Sequence, residues 1–141
     1  MRPRLLLPGI LLLLGSCQKE ARPAEQLRQT RWMLSQVDDF PITLSSYADA
    51  YRTYVQFSAY NTTAGLSPCN SFTGTYSFGA STGELSISNQ TATQTSCPVQ
   101  TLETLYLDAL PRTVRYELSG KELRLYETGS MKPHLVFTAT P

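Results

Sequence analysis

Histidine is almost missing from this chain: His134 is the only one in 141 residues, beside three cysteines (Cys17, Cys69, Cys97) and one tryptophan. A single histidine excludes a two-histidine metal site within one chain. An excess of one charge sign is missing too, with 12 basic against 11 acidic side chains. Nothing therefore invites nucleic acid, and no charge block reads as an electrostatic tail. No phosphate-cradling loop is present, because "GTYSFG" (74–79) lacks both the spacing and the following helix. The one long hydrophobic run, Leu5 to Leu14, falls short of the ~20 residues that span a bilayer.

That run sits in a recognisable context, "MRPRLLLPGILLLLGSC". Arg2 and Arg4 form a positive n-region, Leu5 to Leu14 an apolar h-region, and Leu14-Gly15-Ser16-Cys17 a bacterial lipobox. Residues 1–16 read as a lipoprotein signal peptide, and Cys17 as the lipidated residue. Its use by lipid leaves Cys69 and Cys97 as an even pair. In an oxidising, exported compartment that pair reads as a disulfide. Residues 17–30 read as the lipidated N-terminus and a flexible tether, polar and without a sustained apolar period, although a second helix is the alternative. Residues 31–141 form the domain. Gln18 in place of an inner-membrane-retaining aspartate points to the outer membrane, on its periplasmic face or at the cell surface. Without Arg2 and Arg4, ten basic side chains face eleven acidic ones, and about 125 residues remain, the size of one domain.

From Arg31 onward the chain reads as short strands. Tyr51, Thr53, Val55 and Phe57 alternate with Arg52, Tyr54 and Gln56; Phe72, Gly74, Tyr76 and Phe78 alternate with serine and threonine. A period of two marks half-buried antiparallel strands. Leu85 and Ile87 follow a turn at Gly79 to Gly83. A hairpin turning at Ser119-Gly120 places Val114, Tyr116, Leu118, Leu123 and Leu125 on its apolar side. A last strand runs from Leu135 to Ala139. One segment has helical spacing instead: Val99, Leu102, Leu105, Tyr106, Ala109 and Leu110, between Pro98 and Pro111, predict one helix at about residues 98–110. The fold class is mainly β, a small cracked antiparallel barrel of about seven strands with one packed helix. Gly74 opposite bulky aromatics suits a bend in that sheet.

Candidate chemistry is sparse. His134 reads as a partly exposed strand histidine, and Asp38-Asp39 as a hairpin turn, because neighbouring strand residues point to opposite faces. Glu103 reads as a solvated or capping helix side chain, and Asn70 as a local turn former. Tyr47, Tyr54 and Tyr60 are candidates for a contact surface, with Tyr51 turned to the core. "SNQTATQTSC" (88–97) reads as a polar connection to the helix, with an edge strand open to another chain as the alternative. Asn61 and Asn89 open glycosylation-type triplets that carry little meaning in a bacterial protein.

Cys69-Asn70 followed by Gly74 and Tyr76, then "GELSI", Thr93 ahead of Cys97, and Glu103 on a leucine-rich helix together resemble the META domain family. Trp32 and Leu34 are similar to its opening strand, and "GKELRLYE" and "HLVFTA" to its closing strands. The resemblance covers about residues 30 to 139 and departs from the family where Thr95 and Ser96 stand in place of a methionine before Cys97. It implies a cracked barrel with a packed helix, no known catalysis, no cofactor, and a link to stress and antibiotic tolerance of the envelope. The expectation is a non-enzymatic, lipid-anchored envelope module whose partners are the membrane and an unidentified envelope protein or ligand. Two alternatives stand beside it. One is a small inhibitor of a hydrolase, using a rigid loop at 38–50 or 59–68; the other is a carrier of an apolar ligand in the barrel.

Overall fold

A computed structural model describes residues 23–42 and 52–140. Helix α1 (Pro23–Arg28) leads into β1 (Arg31–Val37) and the two-residue β2 (Phe40–Pro41). Then follow β3 (Tyr54–Phe57), β4 (Thr62–Leu66), β5 (Ser71–Phe78) and β6 (Leu85–Ala92). Helix α2 (Gln100–Ala109) runs into a 3₁₀ turn, Leu110–Arg112, ahead of β7 (Arg115–Ser119), β8 (Glu122–Tyr126) and β9 (Leu135–Ala139). All pairings are antiparallel, in the order β6-β5-β4-β3-β1-β9-β8-β7, with β2 folded onto β1. The sheet curls into a half-barrel until its two ends touch. Glu84 meets Arg115, the Leu85 N–H reaches Val114 O at 3.1 Å, and the Tyr116 N–H reaches Gly83 O at 2.8 Å. Beyond that short seam β6 continues alone along the 3₁₀ turn, which is the crack in the barrel. Among the described residues no helix is long and apolar enough to cross a membrane.

The alternating patterns place their side chains as expected. Thr53, Val55, Phe57, Phe72, Tyr76, Leu85 and Ile87 are buried, while Tyr51 lies outside the described residues. Helix α2 starts two positions later than the spacing predicts and turns Leu102, Tyr106 and Ala109 inward. The Tyr106 ring meets Phe72 and Phe137 edge-on. Bends come where the register breaks. Opposite Thr73 and Thr75, β6 carries an extra residue, Asn89, with φ +54°; asparagine tolerates this left-handed backbone better than most residues. A Cβ on Gly74 would lie 2.8 Å from Ser88 O, so the bulge needs glycine there.

The structure bears out the small β-barrel with a packed helix and departs from the sequence reading in detail. The described residues contain nine strands rather than about seven, the additions being β2 and β4. β4 escaped the periodicity because its inward residues are Thr63 and Gly65 while Leu66 faces out. Glycine is required at 65, where a side chain would run into Tyr54 O and the Phe72 ring. As a strand between β3 and β5, β4 also removes 59–68 as a protruding loop. Residues Pro23–Arg28 are helical and packed rather than tether: Leu27 is fully buried, and Trp32 Nε1 donates to Leu27 O at 3.0 Å. Val114 is 43% exposed and does not join the apolar side of the hairpin. Finally, β6 extends through Ala92, so only 93–97 is the connection expected over 88–97.

Candidate functional site

Asn70, Thr93 and Glu103, far apart in sequence, converge at the end of the barrel where α2 begins. The loop between β4 and β5 carries Ser67, Cys69 and Asn70. Cys69 is joined to Cys97 with Cα atoms 5.6 Å apart, which ties that loop to the approach to α2. Glu103, on the first turn of α2, points back under the bridge and is only 2% exposed. Its carboxylate accepts from Cys69 N–H (2.8 Å) and from Asn70 Nδ2 (2.8 Å). Ser67 Oγ lies 2.8 Å from both Glu103 Oε1 and Asn70 O and donates its one proton to one or the other. Asn70 Nδ2 also donates to Thr95 O at 3.1 Å, while its Oδ1 accepts from Thr93 Oγ1 (2.8 Å) and Thr95 N–H (2.6 Å). Every position on the Asn70 amide is filled. The expectation that Glu103 is solvated or capping, and that Asn70 acts locally, is therefore corrected: both bond across more than twenty residues of sequence. This network is a buried clasp whose polar atoms face one another. Glu103 also acts on Tyr106, whose hydroxyl is pushed well above its ordinary range by burial first and by the nearby negative charge second.

Trp32 and Gly74 do not join that cluster. Trp32 is fully buried beneath α1, and Gly74 sits at the β6 bulge. Cys17 lies outside the described residues, as do Tyr47 and Tyr51. Tyr54 is half-buried beneath the Arg31 guanidinium, 4.2 Å from its ring centre, whereas Tyr60 is 90% exposed. His134 is only 4% exposed, contrary to its reading as a partly exposed strand residue. It precedes β9 in the loop and fits under the 3₁₀ turn, with Nε2 3.0 Å from Ala109 O. Burial lowers its pKa below the ordinary histidine value. Asp38 does sit in a turn, with φ +47°, and it pairs with Arg112, which also holds Glu127. Ser67, Thr95 and Leu27 escaped the sequence reading. Only Ser67 had a local signal, its hydroxyl accepting the Asn70 N–H three residues on, as a serine turn does.

The surface feature with a shape for binding is a groove of about 920 Å³ running along the seam. Leu85 and Val114 form its apolar floor. Met131, 93% exposed, also lines it. The Arg115 guanidinium, in the lining as well, stacks 3.7 Å from the Tyr126 ring centre, and both side chains bond Glu117. Those two hydrogen bonds, Tyr126 first, lower the Glu117 pKa; burial and then Glu117 itself raise that of Tyr126. Arg115, Tyr126 and Glu117 thus pair with one another along this rim. Among the described residues no group of three or more metal-ligating side chains comes together.

The comparisons with known proteins agree with this architecture. Three solved structures share it at low identity. One is the NMR structure of a protein from Burkholderia xenovorans, 21% identical, covering 99% of this chain and 95% of its own, with a TM-score of 0.63. Another is the crystal structure of a DUF4847 family protein from Bacteroides vulgatus ATCC 8482, 18% identical, covering 81% and 94%, with a TM-score of 0.61. A third, also solved by NMR, is 23% identical over 84% and 95%, with a TM-score of 0.59. At such identities they speak for the fold alone. No curated protein matches. The model of the META domain matches residues 25–140, which takes in all but the first two residues of α1, both halves of the clasp and the closing hairpin, and the chain belongs to the META domain family.

Proposed function

We propose that this protein is a lipid-anchored module of the bacterial envelope that works by binding another envelope component under stress, without catalysis. The seam groove carries the reading: it pairs apolar Leu85 and Val114 and an exposed methionine with a charge-paired rim, on a barrel whose interior is otherwise filled. The chemistry available to the family motif favours binding over reaction. Cys69 and Cys97 are joined, so neither offers a thiolate, and His134 Nε2 lies on a backbone carbonyl rather than beside a nucleophile. Trp32, Phe57, Phe72, Tyr76, Tyr106 and Phe137 fill the space that an apolar cargo would need, which counts against the carrier reading. The inhibitor reading is left with residues 38–50 alone, of which 43–50 lie outside the described residues. Its weight is correspondingly reduced.

The test is a photo-crosslinking residue placed at Val114 or Met131 in stressed, intact cells. A discrete adduct at those positions, absent from a probe at Thr104 on the exposed side of α2, is the expected result. Equal or no crosslinking at all three sites would remove the groove as the binding surface.

A further inference from the structure

We propose that the α1 end of the domain seats on the lipid headgroups of the membrane, with Tyr60 as its interfacial anchor. This rests on the reading that Cys17 carries lipid.

The geometry begins with α1, which closes one mouth of the half-barrel. Gln26 Nε2 donates to Gly120 O at 3.0 Å in the β7–β8 turn, and Arg28 Nε donates to Tyr76 OH at 2.8 Å. Arg28 also reaches Asn61 Oδ1 in the β3–β4 turn at 3.4 Å. Helix and turns therefore form one end of the molecule. Only residues 18–22 separate Cys17 from Pro23, a stretch that reaches about 20 Å at full extension. The eight residues of β5 alone span about 25 Å. A lipid on Cys17 accordingly holds the α1 end near the headgroups, with the α2 end, the Cys69–Cys97 clasp and the β8–β9 loop pointing away.

The side chains at the two ends suit that orientation. Tyr60 lies in the β3–β4 turn and is 90% exposed, more than any other large aromatic among the described residues. Tyrosine is favoured at headgroup depth, where its ring meets apolar carbon and its hydroxyl meets water. Lys121 in the β7–β8 turn and Arg31 at the start of β1 are exposed at the same end and complement lipid phosphates. The opposite end displays Asp38, Asp39 and Glu127, engaged by Arg112 and Lys132. Tyr60, Lys121 and the Tyr54-stacked Arg31 thus share the end nearest the anchor, where Glu25 is exposed as well and Glu122 is paired with Arg124.

The experiment uses the full lipidated protein, carrying Tyr60→Cys, Lys121→Cys or Met131→Cys, each with a thiol-reactive fluorophore. It is reconstituted into vesicles of phosphatidylethanolamine and phosphatidylglycerol. Labels at 60 and 121 are expected to be shielded from aqueous iodide several-fold more than the label at 131, and to be quenched by nitroxide-bearing headgroups. Protein that floats with the vesicles but shows equal iodide quenching at all three positions would be anchored without seating, which overturns this inference alone. Protein that does not float overturns the anchoring reading and the seating together.

Discussion

Asn70 uses every hydrogen-bonding position of its side-chain amide inside the protein, and Glu103 receives two of the donors that the clasp presents. Removing either strands buried partners, each of which costs about 1–3 kcal/mol when left unsatisfied. Glu103→Ala and Asn70→Ala are each expected to destabilise the domain by about 2–4 kcal/mol, with the double variant costing less than the sum because both disrupt one network. Urea unfolding of the three variants checks this, and additivity would contradict a shared network. His134 gives a second test at this scale. Burial lowers its folded-state pKa below the ordinary value of about 6.5, so the unfolded chain binds the proton first. Its neutral form is fully present in both states above that value. Stability should then fall as the pH drops from about 6.5 toward the lower folded-state pKa, and flatten beneath it. The same titration of His134→Gln by chemical denaturation should lose that slope while keeping any slope due to carboxylates.

At the scale of elements, two fasteners hold the ends of the half-barrel. The Cys69–Cys97 bridge closes a loop of 28 residues' separation and locks the approach to α2 beside the clasp. On the chain-entropy relation, closing such a loop stabilises by roughly 3–4 kcal/mol. The double variant Cys69→Ser/Cys97→Ser should unfold at lower denaturant by about that amount, and thiol counting on denatured, unreduced protein should find neither Cys69 nor Cys97 free. At the other mouth, α1 is too short to be stable by itself and depends on the burial of Leu27 beneath it. Leu27→Ala should cost about 2–4 kcal/mol, in the range of other large-to-small core changes. Hydrogen exchange should show the loss first at the Gln29 amide, which bonds Glu25 O in the wild type. An unchanged unfolding curve would return 23–28 to the tether.

At the scale of the whole molecule, a filled half-barrel clamped at both ends has little interior to offer a ligand, and the binding proposed here falls to its outside. The lipid anchor proposed at Cys17 would set which outside surface is within reach of partners. Mature protein is expected in the membrane fraction, and Cys17→Ala in the soluble periplasm or as an unprocessed precursor. Recovery of wild-type protein as a soluble, unacylated species would defeat the anchor. A single acyl chain binds only marginally, whereas the multiple chains of a processed bacterial lipoprotein, aided by basic residues near the surface, give stable attachment.

By itself the sequence determined the β-rich class, most strands, the position of α2, the pairing of Cys69 with Cys97, and the family. The first four are written in local period, in turn residues, or in a count of cysteines, whereas the family rests on the resemblance of the motifs around Asn70 and Glu103 to those of the META domain. The Phe72-to-Phe78 alternation and the Val99-to-Leu110 spacing are legible because one face of each element is apolar. The tertiary structure decided the rest, where the inward residue is small or polar, or where its partner is distant. β4 is hidden because Thr63 and Gly65 are its core side. Only the burial of Leu27 and the distant bonds of Gln26 to Gly120 and Arg28 to Tyr76 turn a polar-looking segment into a cap. Asn70 reads as a local turn former and Glu103 as a solvated or capping side chain because their environment is supplied by segments more than twenty positions away. The groove exists only because curling brings Leu85 to Val114, a meeting that no local pattern encodes.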